Sequence, residues 1–261
     1  MVKLKEYAYS MKVTLLQTDI CWTEVEENLR RAEEMINVAD DADLFVLPEM
    51  FSTGFVTEPV AAAEPVGGKA MQWLKETAVK KGCALCGSVA VNDDGRFFNR
   101  LYFVKPDGKV SHYDKRHLFS YGGEHKQFTA GENRVVVEHC GTKILLQVCY
   151  DLRFPVFSRN NAVNPYDMII YVANWPESRI DVWNTLLKAR AIENQCYVAG
   201  VNRVGDDPVC HYSGGTAFID PYGKIIARCA DNQPDAISAV VDMERLMAFR
   251  KKFPVLQDAD R

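Results

Sequence analysis

Three side chains far apart along the chain, the thiol of Cys149, the carboxylate of Glu49 and the ammonium of Lys115, each follow a run of strand-forming residues. The run before Cys149 is Ile144-Leu-Leu-Gln-Val148, apolar and β-prone, which predicts a buried strand. It stops at the cysteine. Tyr150-Asp-Leu-Arg-Phe-Pro155 then mixes an aromatic, an acid and an arginine, and Pro155 suits the first turn of a helix, where its missing N–H costs nothing. Strand, sharp turn and helix lift the thiol out of the core and place backbone N–H groups beside it, as a nucleophile requires. Most free cysteines are simply small buried hydrophobes. Cys149 differs from them in its company.

Glu49 ends the apolar stretch at 44–47, and Lys115 ends the second strand of a hairpin at 109–113. Ligands bind at strand ends in α/β proteins, because the loops there form a crevice over a rigid floor. In such a crevice a carboxylate can take the thiol's proton, giving the thiolate that attacks. A lysine beside both favours the thiolate and stabilises an oxyanion, with the backbone N–H of Tyr150 as a second donor.

The elements that must position these groups are legible as an alternation. Strands are predicted at 12–18, 43–49, 85–91, 96–104, 109–113, 135–138, 143–148, 167–172, 197–202, 215–220, 225–228 and 236–241. Helices are predicted at 25–38, with Thr23 as its N-cap, then at 68–81, 155–162, 181–194 and 243–252, followed by a polar tail at 253–261. Lys105-Pro-Asp-Gly108 is a strong hairpin turn. There is no linker or short repeat, so a single α/β domain over 1–261 is expected, with its core at 12–242 and a C-terminal helix and tail at 243–261. Each half runs strand, helix, strand, hairpin, which fits a pseudo-twofold sandwich of two sheets between helix layers.

Composition narrows the function classes. A net charge of −4 argues against a nucleic-acid surface, and the absence of a long apolar run argues against a membrane span. Met1 to Tyr9 lacks the apolar region of a secretory signal, so a cytoplasmic protein is expected. With no export signal, the 8 scattered cysteines do not read as a disulfide framework. Cys83 and Cys86 form a C-x-x-C pattern within a predicted strand, where residues i and i+3 face opposite sides, so they cannot share a metal. The histidines show no ligand spacing, and no metal is expected.

Leu47-Pro-Glu49-Met-Phe, Asp114-Lys115-Arg-His-Leu-Phe and Cys149-Tyr-Asp-Leu-Arg-Phe-Pro resemble the three motifs of the nitrilase superfamily of carbon–nitrogen hydrolases, in the same order. The resemblance extends from Lys12 to about Asp258 and implies a four-layer αββα sandwich that pairs into a homodimer. It implies Cys149 as nucleophile, Glu49 as general base, Lys115 as transition-state stabiliser and Glu124 as the second glutamate that supports the lysine. No cofactor is implied. Cys149-Tyr-Asp-Leu-Arg-Phe, Asn174-Trp-Pro and Ala189-Arg-Ala-Ile-Glu-Asn-Gln are similar to the ω-amidase subgroup, which hydrolyses the distal amide of short dicarboxylate monoamides such as 2-oxoglutaramate and 2-oxosuccinamate. Nitrilases proper usually carry Trp-Glu after the cysteine, where this chain has Tyr150-Asp151.

Such a substrate carries a carboxylate remote from the amide. Arg153 is the candidate cation, since guanidinium binds carboxylate bidentately; a structural ion pair with Asp151 or another acid is the competing use. Trp175, Phe51 and Phe55, with Tyr150, are expected to wall the substrate. Arg190 and Glu193 are spaced for an intrahelical pair and are expected to be structural. Two alternatives remain open: another amidase or carbamoylase of the superfamily acting on a different small acid, and a non-catalytic redox thiol protein.

Overall fold

The computed structural model describes residues 10–258, so the segment read above as lacking a leader lies outside the described residues. The first half comprises β1 (Ser10–Gln17), α1 (Val25–Val38), β2 (Leu44–Val46), β3 (Glu64–Pro65), α2 (Lys69–Lys81), β4 (Ala84–Asp93), β5 (Arg96–Val104) and β6 (Val110–Asp114). The second comprises β7 (Val136–His139), β8 (Thr142–Val148), α3 (Pro155–Ser158), β9 (Met168–Ala173), α4 (Ile180–Asn194), β10 (Tyr197–Asn202), β11 (Val204–Asp206), β12 (His211–Ser213), β13 (Ala217–Ile219) and β14 (Ile225–Arg228). β15 (Asp235–Asp242), α5 (Met243–Lys252) and α6 (Val255–Asp258) close the chain.

One sheet runs β15-β1-β2-β4-β5-β6, with β3 on β4; the other runs β14-β13-β10-β9-β8-β7. The two orders superimpose. β1, β2 and β4 are parallel, as are β8, β9 and β10, and each trio continues into an antiparallel hairpin. An antiparallel strand flanks the opposite edge of each: β15 on β1 and β7 on β8.

Side-chain alternation sorts residues into layers. Val13, Leu15, Val46, Cys86, Leu101 and Phe103 join the core shared with the second sheet, including Ile144, Leu146, Val148 and Ile170. Their neighbours Leu16, Phe45, Leu85, Tyr102 and Val104 pack instead with Leu29 and Ile36 of α1 and Leu74 and Ala78 of α2. On the far side, α4 lies close against β10: a Cβ on Gly200 would come within 2.4 Å of Leu187. The expected αββα order is the one found. Cys83 and Cys86 fall in different layers, as the strand reading requires.

Several local expectations need correction. Thr23 does not cap α1; it sits at φ 59° and donates its N–H to the Thr53 carbonyl, and Glu24 takes the cap position without a side-chain bond. The helix expected at 155–162 ends at Ser158. The Asn160 and Asn161 side chains accept the N–H groups of Tyr166, Val163 and Asn164, offering the backbone a turn in place of a helix. The strand expected from 215 begins at Ala217, because Gly214 and Gly215 are both left-handed. The β11–β12 ribbon was not visible in the hydrophobic pattern, and the tail contains α6, with Leu256 buried.

Candidate active site

Two backbone reversals present the site. Met50, next to Glu49, has φ 43°, and Cys149 itself has φ 45°. Non-glycine residues held there cost on the order of 1–3 kcal/mol each and persist only where their surroundings fix them. Cys149 opens a 3-10 turn, Cys149–Arg153, directly after β8. Lys115 follows β6, where its N–H donates to the Asn99 carbonyl of β5.

Glu49, Lys115 and Glu124 are fully buried and meet. Lys115 Nζ lies 2.8 Å from Glu49 Oε1 and 2.9 Å from Glu124 Oε2. Asn99 Nδ2 donates to both acids, at 2.7 Å to Glu49 Oε1 and 3.2 Å to Glu124 Oε1. The Asn174 backbone N–H donates to Glu49 Oε2 at 2.8 Å, and its Nδ2 donates to the Glu49 carbonyl. Phe119 N–H holds Glu124 Oε2 at 2.6 Å. Glu124 is therefore no solvated loop acid: the 3-10 turns at Ser120–Gly122 and Glu124–Lys126 fold it inward.

The electrostatics follow from burial and adjacency. Desolvation pushes the Cys149 thiol well above its ordinary range, the Glu49 carboxylate pushes it further, and the Lys115 ammonium opposes both. Burial alone would lower the Lys115 pKa, but the Glu124 and Glu49 charges outweigh it and raise it, so the lysine stays charged. Desolvation raises Glu124, against the pull of Lys115. At rest the cluster holds a neutral thiol beside an ammonium shared by two acids.

Asp151, fully buried, ties the thiol turn to the lysine loop. Its Oδ2 accepts the Val148 N–H at 2.9 Å and the Tyr113 hydroxyl at 2.8 Å. Its Oδ1 accepts the His117 backbone N–H at 3.0 Å and faces His117 Nδ1 at 2.7 Å. The His117 ring stacks on Phe154 at 4.0 Å. Asp151 is thus committed elsewhere, and the competing ion pair with Arg153 does not form. Arg190, on α4, pairs with Glu193 as expected and also donates to the Leu152 carbonyl, bracing the same turn from behind.

The thiol lines a cavity of about 320 Å³ with Tyr150, Arg153, Asn174, Trp175 and Phe55. Four of the five residues expected to contact substrate are brought together there. Phe51 is not. Left-handed Met50 turns it away, and it packs with Trp73 (5.7 Å between centroids) and against Gly87 under α2. Arg153 lies over Trp175 at 5.2 Å, and Lys115 Nζ lies 5.2 Å from the Phe55 ring centroid. Among the described residues no group of His, Cys, Asp and Glu is arranged to hold a metal.

Asn99 was not singled out from the sequence, Asp151 was read only within a motif and as a partner for Arg153, and Asn174 only as part of a motif. Asn99 left one signal, a polar residue in the otherwise apolar Phe97-Phe-Asn-Arg-Leu-Tyr-Phe run.

Residues 12–251 match the family model described as carbon–nitrogen hydrolase. The chain is 45% identical over 253 residues to the omega-amidase YafV of Yersinia enterocolitica, covering 97% of this chain and 98% of that one. It is 35% identical over 250 residues to the 2-oxoglutaramate amidase of Bacillus subtilis, covering 94% and 96%. Its structure resembles that of XC1258 from Xanthomonas campestris, a CN-hydrolase superfamily protein with an arsenic adduct in the active site, at a TM-score of 0.93 and 39% identity, covering 97% and 98%.

Proposed function

The chain belongs to the carbon–nitrogen hydrolase family, and we propose that it is an amidohydrolase releasing ammonia from the ω-amide of short dicarboxylate monoamides, 2-oxoglutaramate and 2-oxosuccinamate among them. The observation that carries this is a thiol and a guanidinium in one small aromatic-walled cavity, with no carboxylate of the described residues paired to that guanidinium, Arg153. A half-buried cation without a partner favours a ligand that brings the anion. The similarity to relatives called omega-amidase and 2-oxoglutaramate amidase supports the same substrate class.

In this reading Glu49 takes the Cys149 proton and the thiolate attacks the amide carbon. Burial raises the thiol pKa measured against bulk water, but passing the proton to an adjacent buried carboxylate leaves the total buried charge unchanged. The oxyanion accepts hydrogen bonds from the Tyr150 N–H and the Lys115 ammonium. Glu49 returns its proton to the departing ammonia, leaving a thioester, then takes one from water as the hydroxide adds. Collapse expels the thiolate, which is reprotonated. Glu124 keeps the lysine charged and aimed. Arg153 holds the remote carboxylate, with Trp175 and Phe55 beside the carbon chain.

The test is ammonia release from 2-oxoglutaramate and 2-oxosuccinamate by wild type and Cys149→Ala. Turnover by wild type and none by the folded variant is expected. Retained turnover in the variant overturns the nucleophile, and a wild type inert on both amides overturns the substrate class.

We treat the chain as one hydrolase domain working as a cytoplasmic homodimer. All 8 cysteines are unpaired, which suits a reducing compartment. Ile192, Tyr222, Met247 and Phe253 are more than half exposed around α4 and α5, an apolar surface suited to a second copy. Among the described residues no helix is long and apolar enough to cross a membrane.

A further inference from the structure

The cavity holds a second arginine that the proposed chemistry leaves without work. Arg179 lines it together with Arg153, in the 3-10 turn Glu177–Arg179 that follows Asn174-Trp175-Pro176. Its guanidinium lies over the Phe119 ring at 5.5 Å, as that of Arg153 lies over Trp175. The two arginines are joined through Trp175, whose indole N–H donates to the Arg179 carbonyl at 2.8 Å. Among the described residues, neither guanidinium has a hydrogen-bond or ion-pair partner, whereas Arg30, Arg31, Arg100, Arg190, Arg245 and Arg250 all have carboxylates.

The one acid in the cavity lining does not change this. Asp207 Oδ1 accepts the N–H groups of Val209 at 2.7 Å and Cys210 at 2.6 Å, and Oδ2 accepts the Tyr212 hydroxyl. Two guanidiniums share the cavity with one acid, which already accepts three hydrogen bonds and pairs with neither. A saturated monoamide has a single carboxylate, enough for one guanidinium, and leaves the other, half-buried, without an acceptor. A substrate with a second acceptor oxygen on the carbon next to that carboxylate satisfies both.

Resting on the ω-amidase reading, we infer that Arg179 is a specificity-determining residue that donates to the 2-oxo oxygen of the substrate while Arg153 binds the carboxylate beside it, so that the site selects 2-oxo acid ω-amides over their saturated counterparts. A hydrogen bond from a charged donor to an acceptor that one substrate has and the other lacks discriminates more sharply than apolar packing does.

The experiment compares kcat/KM on 2-oxoglutaramate and glutaramate, which have the same carbon skeleton, in wild type, Arg179→Met and Arg153→Met. In Arg179→Met the ratio of the two values is expected to fall by about 10- to 100-fold, the equivalent of one charged hydrogen bond. In Arg153→Met both values fall together and the ratio holds. Arg179→Gln, shorter and neutral, gives the same comparison should the methionine variant misfold. Binding of 2-oxoglutarate against glutarate to Cys149→Ala protein, with and without Arg179→Met, gives a readout independent of turnover. An unchanged ratio in the Arg179 variants, or an equal shift in Arg153→Met, overturns the inference while leaving the ω-amidase reading intact. A wild type inert on both amides overturns both.

Discussion

Asp151→Asn is the most informative perturbation of the frame around the thiol, because it alters charge with almost no change of volume. Asp151 receives two donors of fixed identity, the Val148 N–H and the His117 N–H, together with the Tyr113 hydroxyl, and faces His117 Nδ1. An asparagine keeps one oxygen. If its NH2 replaces Oδ2, the Tyr113 hydroxyl can turn and accept, but the buried Val148 N–H faces another donor. If it replaces Oδ1, His117 Nδ1 can accept as the other tautomer, but the His117 N–H loses its partner. Either way one backbone donor is orphaned, at about 1–3 kcal/mol, and the surviving bonds lose their charge assistance, at a further 1 kcal/mol or so. A total near 3 kcal/mol corresponds to a Tm lowered by roughly 6–12 °C in a chain of this size. The bonds to Val148 and to residues 113 and 117 are also what set Cys149 against Lys115, and a displacement of about 1 Å at a reacting centre can cost on the order of 100-fold in rate. Thermal unfolding with kcat measured below the transition tests both parts. A variant with a lowered Tm and wild-type kcat would refute the positioning role, and one unchanged in both would refute the hydrogen-bond argument itself.

Glu49→Gln removes the carboxylate whose charge raises the thiol pKa and leaves the Lys115 ammonium that lowers it. The alkylation rate of Cys149 by iodoacetamide should therefore inflect at lower pH in the variant than in wild type, even as ammonia release is lost; an inflection moved to higher pH would contradict the electrostatic account. The apolar face around Ile192, Tyr222, Met247 and Phe253 predicts a dimer by sedimentation equilibrium at micromolar concentration, dissociated by Phe253→Glu. A monomeric wild type would count against the homodimer.

The sequence made the site legible where chemistry falls at the end of an element with a clear period. Glu49, Lys115 and Cys149 follow apolar runs, and their strands lie within a few residues of expectation. It was silent where a role depends on partners distant in the chain. Asn99 and Glu49 are 50 positions apart, and Asp151 and Tyr113 are 38 apart, so no local pattern links them. Phe51 was misplaced for a different reason. Once a strand ends, alternation no longer says which way a side chain points, and one left-handed residue, Met50, sends Phe51 under α2 while Phe55 reaches the cavity. The asparagines at 160 and 161 likewise end α3 through side-chain bonds that hydrophobic periodicity does not register.

The deeper regularity leaves almost no trace in residue identity. β2 and β9 occupy equivalent places in the two sheets, so Glu49 and Asn174, which follow them, are structural counterparts. They are also bonded to one another, through the Asn174 N–H to Glu49 Oε2 and the Asn174 Nδ2 to the Glu49 carbonyl. Two equivalent strand ends therefore meet near the relation between the halves, one carrying an acid and the other an amide that holds it. The other members break the symmetry: Lys115 follows the outer hairpin strand of one sheet, and Cys149 follows the first parallel strand of the other. A frame with near-twofold order can assemble an asymmetric reaction centre because strand ends from both sheets converge on a single crevice while differing in the side chain each delivers. The frame constrains only the alternation of buried and exposed positions, which many residues satisfy. That is why the halves share topology without a readable repeat.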